Sequence, residues 1–313
     1  MPVEVGQALP AFERTTGFAN WNRYAAVNDE FIDVHMSAEA ARAAGQDDVF
    51  GMGNLRVAYL HAALHEWLDG RGDIAEFTCQ FRALNLLGDH LRTHATVTGR
   101  ATVDGHDIVE VEFGVRNQDD AETTPGTARL VVFGEAGAAM PDPPARPDPP
   151  AREPGVHLDA ATIDWLGRPL EPLRSLPIDA NDIRRWAQAT WYPDAPPAEF
   201  FDVDAAASGP WGALVAPRDF NPYAWHPEYH PDAYPWMRGM GTEPGTRGLN
   251  GGQRTWYGVP ARVGDVITDT VTLVDAYEKE GRLGTMLFLV DESRHTNDRG
   301  ETVRVGLRTS IYY

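Results

Sequence analysis

The residues best suited to chemistry lie between Tyr24 and Leu55, in the stretch YAAVNDEFIDVHMSAEAARAAGQDDVFGMGNL. Three carboxylates, Asp29, Glu30 and Asp33, stand close before one histidine, His35. A carboxylate and an imidazole five residues apart on a loop, as Glu30 and His35 are, can clamp one water and move its protons. Further on, Gly53 opens an apolar helical run. The orphan amides at a helix start favour negative charge, and a glycine there lets a carbonyl approach the backbone closely. A base, an acid and an oxyanion donor are what the addition of water next to a carbonyl needs. Asp29 is the alternative acid, because a slip of one residue would exchange it with Glu30.

These groups need a frame. Leu55, Tyr59, Leu60, Ala63, Leu64 and Trp67 recur at helical spacing, which predicts a helix over 54–68, ended by Asp69, Gly70 and Gly72. A shorter helical run covers 37–44. Strand-like runs follow at 74–84, 90–100, 108–116 and 127–133, divided by Leu87-Gly88-Asp89, Asp104-Gly105 and the segment 117–126. One long helix followed by a meander predicts an antiparallel sheet wrapped around a helix. Residues 1–23 show little regular pattern.

Residues 134–156 are Pro-rich and aperiodic, a semi-extended linker. The pattern then returns. A helix is predicted over 179–190, capped by Asp179 or Asn181, and strands over 253–257, 266–277, 285–296 and 303–312. Val263-Gly264-Asp265 echoes Leu87-Gly88-Asp89, and Asn297-Asp298-Arg299-Gly300 echoes Asn117-Gln118-Asp119-Asp120. The expectation is two copies of one unit: 1–134, a linker over 135–156, and 157–313.

Composition limits the alternatives. The 313 residues carry a formal net charge of -19, which argues against nucleic acid as a partner, since phosphate backbones require clustered Lys and Arg. Lys279 is the only lysine and Cys79 the only cysteine, so no disulfide framework or cysteine metal site is expected. No apolar stretch reaches the roughly 18 residues a membrane span needs. No basic-then-apolar run opens the sequence, so a reduced, cytoplasmic compartment is expected. His61, His65 and Glu66 suggest metal ligands superficially, but no third ligand is evident, and no metal is expected.

The string from Tyr24 onward resembles the active-site motif of the MaoC-like dehydratase/hydratase family, Tyr-Ala-x-x-Ser-Gly-Asp-x-Asn-Pro-Ile-His. Laid without gaps, Tyr24 and His35 match, Glu30 falls on the catalytic Asp, and Asp29, Ile32 and Asp33 depart from the pattern. Ala40–Gly45 matches the family's helix, and Gly53 its helix-opening glycine. The second half, through GRPLEP (167–172), GALVAPRDF (212–220), GGQRTWYG (251–258) and the run 277–301, resembles the related non-catalytic FAS1-like, or MaoC N-terminal, dehydratase domain.

The resemblance implies an α+β double hotdog, each unit a long central helix wrapped by an antiparallel sheet. It implies reversible hydration of a trans-2-enoyl thioester to the (R)-3-hydroxyacyl thioester, on CoA or acyl carrier protein and with a bulky or unusual acyl group. Glu30 and His35 would be catalytic, Gly53 would supply the oxyanion amide, and Tyr24, Asn54 and His61 would bind substrate. No cofactor is implied, and a homodimer of such chains is expected. Aligning VAPRDF with FGMGNL puts Arg218, Ala195 and Phe200 opposite Gly53, Glu30 and His35, so the second copy is expected not to catalyse. Its aromatic insert over 223–240 is a candidate acyl-pocket wall, and Arg218, Arg254 and Arg262 are candidate CoA phosphate contacts. A hotdog thioesterase and a non-catalytic acyl-thioester-binding subunit remain as alternatives.

Overall fold

The computed structural model describes residues 3–134, 137–228, 234–238, 241 and 243–313. In the first unit, strand β1 (Glu13–Thr15) precedes helices α1 (Phe18–Asn28), α2 (Asp33–Met36), α3 (Ala38–Ala43) and α4 (Gly53–Leu68), then strands β2 (Gly72–Cys79), β3 (His90–Val103), β4 (His106–Arg116) and β5 (Gly126–Val132). The second unit contains α5 (Ala160–Ile163), β6 (Leu173–Arg174), α6 (Ala180–Trp191), α7 (Val203–Ser208), β7 (Gly248–Tyr257), β8 (Thr268–Gly281), β9 (Gly284–Thr296) and β10 (Thr302–Tyr312). All ten strands join one antiparallel sheet in the order β1-β3-β4-β5-β2-β7-β10-β9-β8-β6. The seam between the units is β2 against β7, with Glu76 opposite Trp256 and Cys79 opposite Gln253.

Helix α4 is the centre of the first unit. Leu55 to Leu64 is buried without interruption, so the helix is covered on nearly every face rather than along one stripe. It ends where Asp69 turns left-handed, at φ 46, with Gly70 following. Alternation along β4 aims Val109, Val111, Phe113 and Val115 at this helix, all essentially inaccessible to solvent.

The turn echoes are physical. Asp89 accepts a hydrogen bond from the Leu86 amide, and Asp265 accepts one from the Arg262 amide. Asn117 accepts from the amides of Asp119 and Ala121, and Asn297 from those of Arg299 and Glu301. Such asparagine and aspartate turns pin both meanders in the same register. The Gly88 amide donates to Thr16 O, and the Gly264 amide to Ile178 O. Thr16 and Ile178 are thus equivalent, which makes α6 the counterpart of α1. That register puts Tyr24 opposite Trp186, and the two rings meet edge to face at 5.5 Å. It also corrects the count made from Arg218: Tyr192 and Pro197, rather than Ala195 and Phe200, stand opposite Glu30 and His35.

Four other expectations are revised. The segment around Tyr24 is helical, because α1 runs from Phe18 to Asn28 and buries Trp21 and Tyr24 against α6. Its polar Asn and Arg residues hid that face from a periodicity reading. Strand β2 stops at Cys79 rather than Leu84, because the chain then leaves the sheet to cross the start of α4, where Arg56 donates to Ala83 O. Strand β7 begins at Gly248 rather than Gln253, and its glycines accompany a register shift opposite Thr309 and Ser310. The second unit keeps the sheet and the α1 counterpart, but among the described residues no long helix follows Arg218. Trp236, from that irregular segment, packs there with Leu273, Leu287 and Leu289.

The linker has no helix or regular strand from 138 to 156 and lies along the second unit. Arg146 pairs with Glu292 at 2.8 Å, and Arg152 pairs with Asp275 at 2.8 Å.

Candidate active site

Helix α1 ends in a left-handed residue, Asp29, at φ 52, whose amide closes on Ala25 O. That turn projects Asp29 to solvent and swings Glu30 back towards α4. Glu30 Oε2 accepts from Asn28 Nδ2 at 2.8 Å, and both of its carboxylate oxygens accept from Asn54 Nδ2, at 3.2 and 3.3 Å. Burial pushes the Glu30 carboxyl up to about 7, against the two amide hydrogen bonds that pull it down. A carboxyl poised there can give or take a proton at neutral pH.

His35 sits on the single turn of α2. Its Nδ1 lies 2.8 Å from Phe50 O. A carbonyl can only accept, so Nδ1 carries the proton and Nε2 presents a lone pair. Burial lowers the His35 pKa, and the Phe50 hydrogen bond opposes that shift. Glu30 and His35 are therefore both tied to the segment 50–54 that leads into α4, one through Asn54 and the other through Phe50.

Met52 gives α4 no side-chain cap, so no side chain of the cap covers the helix's leading amides. At Gly53 a Cβ would lie 3.0 Å from the Phe81 ring; at Gly51 it would lie 2.1 Å from Asn85 Nδ2 and 2.8 Å from Trp21 Nε1. Close packing constrains Gly51, which lies outside the matched motif positions, much more than Gly53, where a small shift of the Phe81 ring would admit a Cβ.

The remaining predicted residues separate. Asn54 and Tyr24 line a cavity of about 240 Å³ at the seam, with Asn28 beside them and Trp186, Thr255 and His295 opposite. Burial raises the Tyr24 pKa well above its usual value, so the phenol stays protonated. His61 is deep in the core: Nδ1 meets Val57 O at 2.9 Å, Nε2 meets Tyr257 OH at 2.8 Å, and the ring packs on Phe77. Both of its nitrogens are occupied, and it clamps α4 to β7. His65 faces Glu199 at 3.1 Å, and Glu66 accepts from Trp191 Nε1. The Arg218 side chain is largely buried and forked onto Asp73, at 2.8 and 2.5 Å, with a third bond to Gly258 O. It holds the seam and is not available to a phosphate. Arg254 pairs with Glu76 at 2.7 Å across the same seam.

Sequence reasoning missed Asn28 and Asn221. Asn221 Nδ2 donates to Asn28 Oδ1 at 3.0 Å, so the second unit steadies the amide that holds Glu30. An asparagine two residues before a carboxylate has no periodic signature. Of the insert, Trp225 is largely exposed and donates to Ala26 O, while Tyr223 is buried and donates to Ile267 O. Residues 229–233, 239 and 240 lie outside the described residues.

The continuous sheet, the central helix and the turn-for-turn repeat define a double hotdog. Residues 164–305 match the family described as the FAS1-like dehydratase domain region. Over the whole chain, the fold is similar to that of a protein described as a MaoC domain dehydratase from Chloroflexus aurantiacus J-10-fl, at 13% identity and a TM-score of 0.67, covering 99% of this chain and 95% of that one. It is also similar to a Mycobacterium tuberculosis protein essential for survival during infection and described as having a double hotdog fold, at 13% identity and a TM-score of 0.62, covering 99% and 97%. A third structure, a MaoC-like dehydratase, is 14% identical with a TM-score of 0.61, covering 97% of each chain. A search of curated proteins finds no match.

Proposed function

We propose that the chain reversibly hydrates a trans-2-enoyl thioester to the (R)-3-hydroxyacyl thioester, with His35 as base and Glu30 as acid. The observation that carries this reading is the Glu30 carboxyl, held by Asn28 and Asn54 and raised to about 7. His35 Nε2 takes a proton from water, and the hydroxide oxygen bonds to C3. The C2=C3 electron pair moves towards the thioester carbonyl, and protonated Glu30 delivers a proton to C2. Proton return from the imidazolium to the Glu30 carboxylate resets the pair. The leading amides of α4, at Gly53, receive the developing enolate oxygen. Dehydration is the same path reversed. Asp29 is exposed, whereas Glu30 is the carboxyl that Asn54 of α4 holds, which favours Glu30 as the acid.

The test is a panel of enoyl-CoA thioesters followed by loss of the ultraviolet absorbance of the conjugated thioester, with a thiol reagent present. Absorbance loss without free thiol supports hydration. Thiol release at the same rate would identify a thioesterase, and binding with neither change would identify an acyl-thioester-binding subunit.

A further inference from the structure

The seam cavity has a floor of unusual chemistry. In the first unit the concave face of the sheet is apolar and packs on α4. The shared Asn117 and Asn297 turns align the two units strand for strand. Counting back from them, Val109, Val111, Phe113 and Val115 correspond to Leu289, Asp291, Ser293 and His295. Asp89 and Asp265 align the preceding strands in the same way, so Thr93 corresponds to Asp269. The second unit therefore keeps Leu287 and Leu289 at one end of β9 and turns polar at the other, on one face of one strand.

Ladder pairing spreads this polarity sideways. Asp269, His295, Arg304 and Tyr257 form one row across β8, β9, β10 and β7; Asp291, Arg308 and Gln253 belong to another. These groups line the cavity that also receives Asn54 and Asn28, the two donors to Glu30. Their charges are matched internally. Asp269 and Asp291 stand against Arg304 and Arg308: Ser293 Oγ donates to Asp269 at 2.8 Å, Arg304, against the raising effect of burial, lowers the Asp269 pKa through its charge and lies 3.4 Å from His295 Nε2, and Arg308 Nε lies 3.3 Å from Asp291. Unmatched polar lining is costly to a hydrocarbon guest, because buried donors and acceptors would lose water with nothing in return. Paired charges offer hydrogen bonds without demanding an ion.

We infer that the acyl group taken by this site is polar and uncharged, bearing hydroxyls along its distal half, rather than a plain hydrocarbon chain. This rests on the reading of Glu30 and His35 as a thioester hydratase site, which places the thioester at α4 and the acyl tail over β7–β10. The apolar end, at Leu287, Leu289 and Trp236, lies beyond the polar rows and takes no part.

Titration calorimetry with two saturated ligands, octanoyl-CoA and 7,8-dihydroxyoctanoyl-CoA, tests it without any turnover. The diol binds at least about tenfold tighter, as expected for one to two net hydrogen bonds. Thr255→Val, nearly isosteric, narrows the ratio, and the pair Asp291→Leu/Arg308→Leu shifts the preference to octanoyl-CoA. Equal or tighter binding of octanoyl-CoA by the unaltered protein, or binding of neither ligand, overturns the inference. Hydration of trans-2-butenoyl-CoA, measured on the same sample, reports separately on the hydratase reading, because its acyl group is too short to reach the polar rows.

Discussion

Asn221, in the second unit, donates a hydrogen bond to Asn28 at the end of α1, and Asn28 donates in turn to Glu30. A unit with no acid and no histidine at the equivalent positions thus reaches the carboxyl proposed as the acid. Replacing Asn221 by Ala frees the Asn28 amide and loosens its hold on Glu30. We expect kcat to fall about tenfold while KM changes little, since a misplaced proton donor affects the transition state more than binding. Because the Asn28 bond holds the Glu30 pKa down, the alkaline limb of the rate profile should move to higher pH. A purely structural role for Asn221 would leave that limb in place.

The pH profile has a worked sign. The proposed hydration needs neutral His35 and protonated Glu30. The His35 pKa is lowered from 6.5 by burial, and the Glu30 pKa is raised to about 7. kcat/KM should rise with pH below 6.5 and fall above about 7, giving a narrow bell. Asn54→Leu removes a second bond that favours the carboxylate, so its descending limb should lie further to alkaline pH. Stopped-flow absorbance across a pH series measures both limbs.

Glu30 also carries a stability cost. Its pKa is 4.5 without burial and about 7 in the fold. A raised carboxyl favours the folded state below 4.5, and this advantage is lost as pH rises through 7. Glu30→Gln should therefore unfold at higher denaturant concentration than the parent at pH 8, by on the order of 2 kcal/mol. Below pH 4 the two should coincide. Chemical denaturation at the two pH values checks this.

Much of the frame was legible because it rests on local rules. The apolar run of α4 and the Leu-Gly-Asp and Asn turn pairs are each encoded within a few residues, and each appears in the fold. Helix α1 was not legible: Asn20, Asn22, Arg23 and Asn28 dilute its apolar face, which becomes visible only when α6 packs on it. The site divides in the same way. Glu30, His35 and Gly53 lie on one continuous stretch, and the structure keeps the tethers of the first two together. Asn221 and the polar rows of β8–β10 come from 190 residues or more downstream of Glu30, and no local pattern could attach them to it. His61 and Arg218 show the converse. Their residue types suit ligand binding, but Tyr257 and Asp73 claim them across the seam.

That seam supplies a stability prediction. The Arg218 and Asp73 side chains are largely buried, and Asp73→Asn leaves the guanidinium with a neutral partner. Breaking a buried pair from one side costs about 3–5 kcal/mol, so melting should fall sharply, while binding of free CoA by any folded fraction should not change. Were Arg218 instead a phosphate contact, Arg218→Met would weaken CoA binding strongly, with little loss of stability.

The central claim is that Glu30 and His35 together move the protons of one water. Initial rates of trans-2-enoyl-CoA hydration should be measured for the parent, Glu30→Gln, His35→Ala, Asp29→Asn and the Glu30→Gln/His35→Ala double variant, with folding checked by circular dichroism. Each of the first two single substitutions should reduce kcat by about 10²–10⁴, and the double variant should be little worse than either, as expected for groups acting as a unit. Asp29→Asn should remain near the parent. Near-parental rates in folded Glu30→Gln and His35→Ala, or a collapse confined to Asp29→Asn, would contradict the account.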